Sequence, residues 1–198
     1  MMKNILKSLF VAVALVAGST MAFAEEGNAV VKMTWVDYDN PTTAIGEIPA
    51  GETARAGYNK LSGGSVAFAN TGWGENKITY IQVDASAFTG AVAEATLSLD
   101  VSGSSDSKRV TTWGLGYNSS VWSADMTYET ADKTITTFGN TQSTSTKSAS
   151  TFETKTFDIK DVLANDEDRI ITILYLEAPN NQNYSEITKY KPLIISAF

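Results

Sequence analysis

The sequence predicts an all-β domain, an antiparallel two-sheet sandwich with about ten strands and at most one short helix. Three observations carry this prediction. Thr, Ser, Val, Ile and aromatic residues dominate after residue 24, and long apolar patterns of helical period are absent. Short runs of period two recur instead. Gly, Asn, Asp and Ser separate those runs, as turns require.

Taken in order, strands are expected at residues 30–36, 55–61, 65–70, 77–84, 93–101, 108–117, 125–129, 134–138, 169–178 and 192–198. Alternation is cleanest in Ala95-Thr96-Leu97-Ser98-Leu99-Asp100-Val101, a half-buried strand. Thr111, Trp113, Leu115 and Tyr117 likewise share one face, opposite Thr112, Gly114 and Gly116. Ile170-Ile171-Thr172-Ile173-Leu174-Tyr175-Leu176 is apolar on both faces, the mark of a central strand covered on two sides. A helical turn fits residues 158–163, where Asp158 can cap and Ile159, Val162 and Leu163 share a face. Residues 141–151 are almost wholly polar and read as a long exposed loop.

The start of the chain bears on compartment. Lys3 and Lys7 precede nine uninterrupted apolar residues, 9–17, and Ala22-Phe23-Ala24 offers a small-x-small cleavage site. That is the pattern of a secretion signal, residues 1–24, followed by a single module, 25–198. The expected location is therefore secreted, periplasmic or at a bacterial cell surface. The apolar run is shorter than the ~20 residues a membrane helix needs, and no second one follows, so membrane insertion is not expected. There is no cysteine, hence no disulfide framework. Residues 25–198 hold 13 basic and 22 acidic side chains, a net charge of −9. Such a surface repels phosphate backbones and argues against nucleic acid.

Four segments in order resemble DNRLRE-type jelly-roll domains, which include the family-96 carbohydrate-binding modules. Trp35-Val36-Asp37-Tyr38-Asp39-Asn40-Pro41 through Gly46 is similar to the family's opening strand and Asn-Pro loop. Tyr80-Ile81-Gln82-Val83-Asp84-Ala85-Ser86, with the alternating strand 95–99, is similar to its aromatic-led strand, Ser-containing turn and second strand. Trp122 and a Met126-Thr127-Tyr128 strand resemble a tryptophan followed by a Thr-Trp strand. Phe157-Asp158-Ile159, then 171–176, Ser185-Glu186 and Lys191-Pro192-Leu193, resemble the closing strands. The basic residue usual before the second segment's aromatic is missing, since Ile78-Thr79 precede Tyr80, and the Ser/Thr loop is extra. The resemblance implies a polysaccharide ligand. Anionic uronates call for Lys and Arg, so the −9 balance favours a neutral one.

Catalysis finds little support in the residues. No histidine or cysteine is present, which removes the commonest general base and the Cys-His and Ser-His nucleophile systems. The acidic residues single out no carboxylate pair, and the chain is read as non-enzymatic. Sugar binding uses aromatic platforms and polar loop groups. Trp73 in Thr71-Gly72-Trp73-Gly74 is the leading platform, followed by Tyr117 with Asn118, then Tyr184 beside Asn180–Asn183. Trp35, Trp113 and Trp122 are read as core. Asp37, Asp39 and Asn40 form a candidate calcium loop, with Glu47 or Asp84 as further donors. Three donors fall short of six to eight, so an ion-free Asx-Pro turn suits them better. No other cofactor and no particular protein partner is indicated. The competing readings are a structural or adhesive cell-surface sandwich without a glycan ligand, and an eight-stranded outer-membrane barrel, which the many Thr and Ser positions and Pro192 disfavour.

Overall fold

The computed structural model describes residues 25–49, 52–57, 59–62, 65–68, 77–102, 111–118, 120, 122–144, 152–177 and 184–197. Among them lie β1 (Glu25–Asn28), β2 (Val30–Asp37), β3 (Ala54–Gly57), β4 (Asn59–Ser62), β5 (Ser65–Phe68) and β6 (Lys77–Asp84). The chain continues through β7 (Glu94–Ser102), β8 (Thr111–Asn118), β9 (Thr137–Thr144), β10 (Phe152–Asp158), α1 (Lys160–Asn165), β11 (Ile170–Glu177) and β12 (Tyr184–Ala197). The signal segment 1–24 is outside the described residues.

All pairings are antiparallel. One layer runs β10-β7-β12, with β1 and β3 end to end along the far side of β12. The other runs β2-β6-β11-β8-β9. A single pair, Gly57↔Lys77, connects them through β3 and β6. Counting β3, β6, β7, β8, β9, β10, β11 and β12 as one to eight, the layers read 1-8-3-6 and 2-7-4-5, which is jelly-roll topology. The predicted all-β sandwich is the fold observed. β4 and β5 form a separate hairpin.

Period two explains how the layers close. Val31, Met33, Ile81, Val83, Leu97, Leu99, Val101, Leu115, Phe157, Ile171, Ile173 and Tyr175 point inward into one cluster. Each such side chain withdrawn from water stabilises the fold by about 1.5–3 kcal/mol. Phe157 meets Tyr175 edge-to-face at 6.4 Å between centroids. On the first layer's outer side stand polar residues, with Thr154 Oγ1 donating to Asp100 and Ser98 bonded to Thr156. A barrel in lipid would need that face apolar, so the barrel reading does not describe this chain.

Several expected elements change. Residues 125–129, read as a strand, are turns held by local bonds such as Met126 N to Ser123 O at 3.0 Å and Ala131 N to Thr127 O at 2.9 Å. The third segment of the family resemblance therefore has no strand behind it. Residues 141–144 of the expected loop belong to β9, and 145–151 are outside the described residues. β10 was not expected, because only Phe152 and Phe157 break its polar run. The helix starts two residues later than expected, and Asp158 accepts from Lys160 N at 2.9 Å ahead of it. β12 is far longer than 192–198. It passes Pro192 by inserting one extra residue between Lys191↔Ser98 and Ile194↔Thr96, a bulge suited to a residue with no N–H.

Candidate functional site

Even-numbered residues of the second layer point away from the inter-sheet core, yet those at its middle are buried too, whereas Val30 near one end of β2 is 57% exposed. Val36 of β2, Ile78 and Tyr80 of β6, and Leu174 and Leu176 of β11 form a second apolar cluster with Trp122 and Ala131. Residues 120–135 supply its cover, with Met126, Tyr128 and Ile135 packed against it. Gly116 of β8 makes room: a Cβ there would lie 2.4 Å from Ile135 Cδ1 and 3.0 Å from Leu176 Cδ1. The turn after β2 holds the cover from the side. Pro41 O accepts from Glu129 N at 3.0 Å, and the Tyr38 and Tyr128 rings meet edge-to-face at 5.2 Å.

Polar bonds fasten the cover to the strands. Asn118 is buried; its Nδ2 donates to Thr134 O at 2.7 Å and Asp132 O at 3.2 Å, and its Oδ1 accepts from Ser120 N. Tyr80 Oη donates to Asp132 O at 2.9 Å, and Thr172 Oγ1 to Ser120 O at 2.7 Å. The Asp132 carboxylate accepts from Ser120 Oγ, Thr134 Oγ1 and Thr134 N. These donors favour its ionised form and hold its pKa down to about 2. Burial, with the Asp132 charge adding to it, raises the Tyr80 phenol far above its ordinary range, so this hydroxyl stays a neutral donor. Lys133 Nζ donates to Tyr128 O and Ala131 O at 2.7 and 2.8 Å and lies 4.5 Å from the centre of the Tyr128 ring. Burial lowers its pKa.

Between cover and sheet lies a cavity of about 450 Å³. Its polar groups are the hydroxyls of Tyr80, Ser120, Ser123, Thr130 and Thr172, the Asn118 amide, and the carboxylates of Asp125 and Asp132. Trp122 and Met126 are its apolar members, and among the described residues no Lys or Arg lines it. The volume lies in the range of small-molecule sites, about 300–1,000 Å³. Acceptors and hydroxyls around an apolar wall can bind a polyhydroxylated ligand. Asp132, held ionised, is no proton donor for acid catalysis at neutral pH.

Of the residues expected to bind ligand, Asn118 alone among the described side chains lines this cavity. Tyr117, its neighbour, turns the other way: it is 4% exposed within the inter-sheet core and presents no platform. Strand alternation sends the two to opposite faces. Trp73 is outside the described residues. Tyr184 opens β12 opposite Gly57, and its side chain lies outside those described. Trp122 is buried as expected, though in the outer cluster and not in a strand. Trp35 is half-buried against the inner core with Lys77 Nζ 5.6 Å from its ring centre. The side chain of Trp113 is outside those described.

The Asp37–Asn40 loop forms a tight turn. Asp37 Oδ1 accepts from Asp39 N at 3.0 Å, Oδ2 accepts from Asn40 Nδ2 at 2.9 Å, and Lys77 Nζ lies 3.9 Å from Oδ2. Asp84 sits opposite Val30, at the far end of the β2–β6 pair from Asp37↔Lys77, and Glu47 lies 3.9 Å from Lys32. Neither joins Asp37. Among the described residues no group of three or more His, Cys, Asp or Glu is placed to hold a metal.

No family model and no curated protein matches the chain. Similar solved structures include the CBM22-1–GH10 modules of endo-1,4-β-D-xylanase 10B from Clostridium thermocellum, complexed with xylohexaose. That match has 11% identity and a TM-score of 0.34, and covers 86% of this chain but 28% of the xylanase chain. The K3 cleaved adhesin domain of Lys-gingipain from Porphyromonas gingivalis is 10% identical over 88% of this chain and 100% of that one, with a TM-score of 0.38. The xylan-binding module CBM15 is 14% identical over 88% of this chain and 96% of that one, with a TM-score of 0.33. Carbohydrate-binding modules thus stand among the chain's structural neighbours.

Proposed function

We propose that the chain is a secreted, non-catalytic carbohydrate-binding module, exported by its N-terminal signal segment, and that it takes a neutral glycan between the 120–135 cover and the sheet. The observation that carries the reading is the lining of the 450 Å³ cavity: hydroxyls, one amide and two carboxylates beside Trp122 and Met126, with no cationic side chain among the described residues. Carboxylates accept sugar hydroxyls well, whereas a uronate would meet like charge with no described Arg or Lys to pair it. The net charge of −9 over residues 25–198 acts in the same direction at long range. The resemblance of the first, second and fourth segments to DNRLRE-type modules points to the same ligand class.

Affinity electrophoresis of residues 25–198 in gels containing xylan, β-glucan or mannan, against polygalacturonate and alginate, tests the proposal. Retardation by at least one neutral polymer and by neither uronate is the expected result. Free migration in all five, with a soluble folded protein, favours a structural or adhesive role and defeats the proposal.

A further inference from the structure

We infer that Asp125 is the specificity-determining residue of the cavity: its carboxylate takes the ligand's hydroxyls, while Asp132, the other carboxylate of the lining, braces the cover from within. The inference rests on the glycan reading above and names the group that does the recognising. Ser123, Asp125 and Thr130 are the exposed members of the lining, so a ligand arriving from solvent meets them first.

The hydrogen-bond capacity of the lining separates these groups. Tyr80 Oη donates to Asp132 O, Thr172 Oγ1 to Ser120 O, and Asn118 Nδ2 to the carbonyls of Asp132 and Thr134. The Asp132 carboxylate accepts from Ser120 Oγ, Thr134 N and Thr134 Oγ1, which fills most of the about four lone-pair sites it has. Thr130 Oγ1 is tied into its own turn, accepting from Thr127 N at 2.9 Å and lying 3.2 Å from Thr127 Oγ1. The indole N–H of Trp122 is closed off from solvent and takes no part. Ser123 Oγ accepts from Asp125 N at 3.3 Å and keeps its O–H to give. The Asp125 carboxylate has no hydrogen-bond or ionic partner among the described residues.

Recognition thus falls to Asp125 as acceptor and Ser123 as donor, both on one turn closed by Met126 N donating to Ser123 O at 3.0 Å. A neutral glycan brings hydroxyl protons to the carboxylate and an oxygen to the serine, in charge-assisted bonds on the Asp125 side. A uronate brings like charge to the same oxygens, which is how a single carboxylate at the entrance discriminates.

The test is Asp125→Asn in residues 25–198, which keeps the side chain's size and the backbone bond to Ser123 while removing the charge. Affinity electrophoresis in graded concentrations of whichever of xylan, β-glucan or mannan retards the parent gives relative affinities, with mobility normalised to a polymer-free gel. The expected loss is about tenfold to a hundredfold. Thermal unfolding supplies the readout that a structural role would move, and Tm is expected to stay within about 2 °C of the parent. Affinity within twofold of the parent overturns the inference and leaves glycan binding standing. A larger fall in Tm makes Asp125 a brace like Asp132 and overturns it equally. If no polymer retards the parent, the glycan reading fails and takes this inference with it.

Discussion

Replacing Gly116 with alanine tests whether residues 120–135 truly press on the outer face of the sheet. On an open strand this change removes backbone freedom from the unfolded chain and stabilises by about 0.5–1 kcal/mol. Here the new Cβ would lie 2.4 Å from Ile135 Cδ1, 3.3 Å from Ile135 Cγ2 and 3.0 Å from Leu176 Cδ1. Ile135 is half-buried and its terminal methyl can swing away, but Leu176 is fully buried and has nowhere to go. Overpacking of this kind costs about 1–3 kcal/mol, which leaves a net destabilisation of about 1–2 kcal/mol. For a domain of this size each kcal/mol lowers Tm by about 2–4 °C. Urea or thermal unfolding of Gly116→Ala, Ile135→Ala and the double variant measures both the cost and the coupling. The account expects alanine at 116 to be tolerated far better once Ile135 is truncated. A variant as stable as the parent, or a cost indifferent to Ile135, refutes the packing argument.

Two further outcomes follow from the same geometry. Asp132 has its pKa depressed to about 2 from 3.8, so its contribution is present above the ordinary carboxyl range and is lost as pH falls from 3.8 through about 2. Melting curves between pH 5 and 2 should therefore fall more steeply for the parent than for Asp132→Asn, and parallel curves would contradict the assignment. Tyr117→Ala removes a ring from the inter-sheet core and should lower stability by about 3–5 kcal/mol in urea unfolding. A loss below 1 kcal/mol would mean that the ring stands outside the core.

Much of the fold was legible because burial on one face writes a period-two code. The 95–101 alternation gave β7 nearly to the residue, and the two-sided apolar run of β11 announced that both faces of its layer are covered. What covers the outer face was not legible. Residues 120–135 carry Trp122, Met126, Tyr128 and Ile135 at irregular spacing, because each is positioned by turns and side-chain bonds, such as those between Thr127 and Thr130, and not by a repeating backbone. The site was hidden for the same reason. Tyr80, Thr172 and Asn118 look like ordinary strand residues until the cover brings Ser120, Asp125 and Asp132 to them from outside the sheet. Tyr117 stands near a strand end, yet its parity puts it on the face of Leu115 and so in the inter-sheet core. β10 escaped notice because it is an outermost strand of its layer, where Thr154, Thr156 and Lys155 suffice with Phe157 as its fully buried anchor.

The central claim is that a neutral glycan enters between the 120–135 cover and the sheet. Amide hydrogen exchange of residues 25–198, with and without the oligosaccharide that binds best, addresses it directly. New protection concentrated in residues 120–135 and at Asn118 is the predicted result. Protection confined to residues 71–76 around Trp73, with the cover exchanging as before, would contradict it.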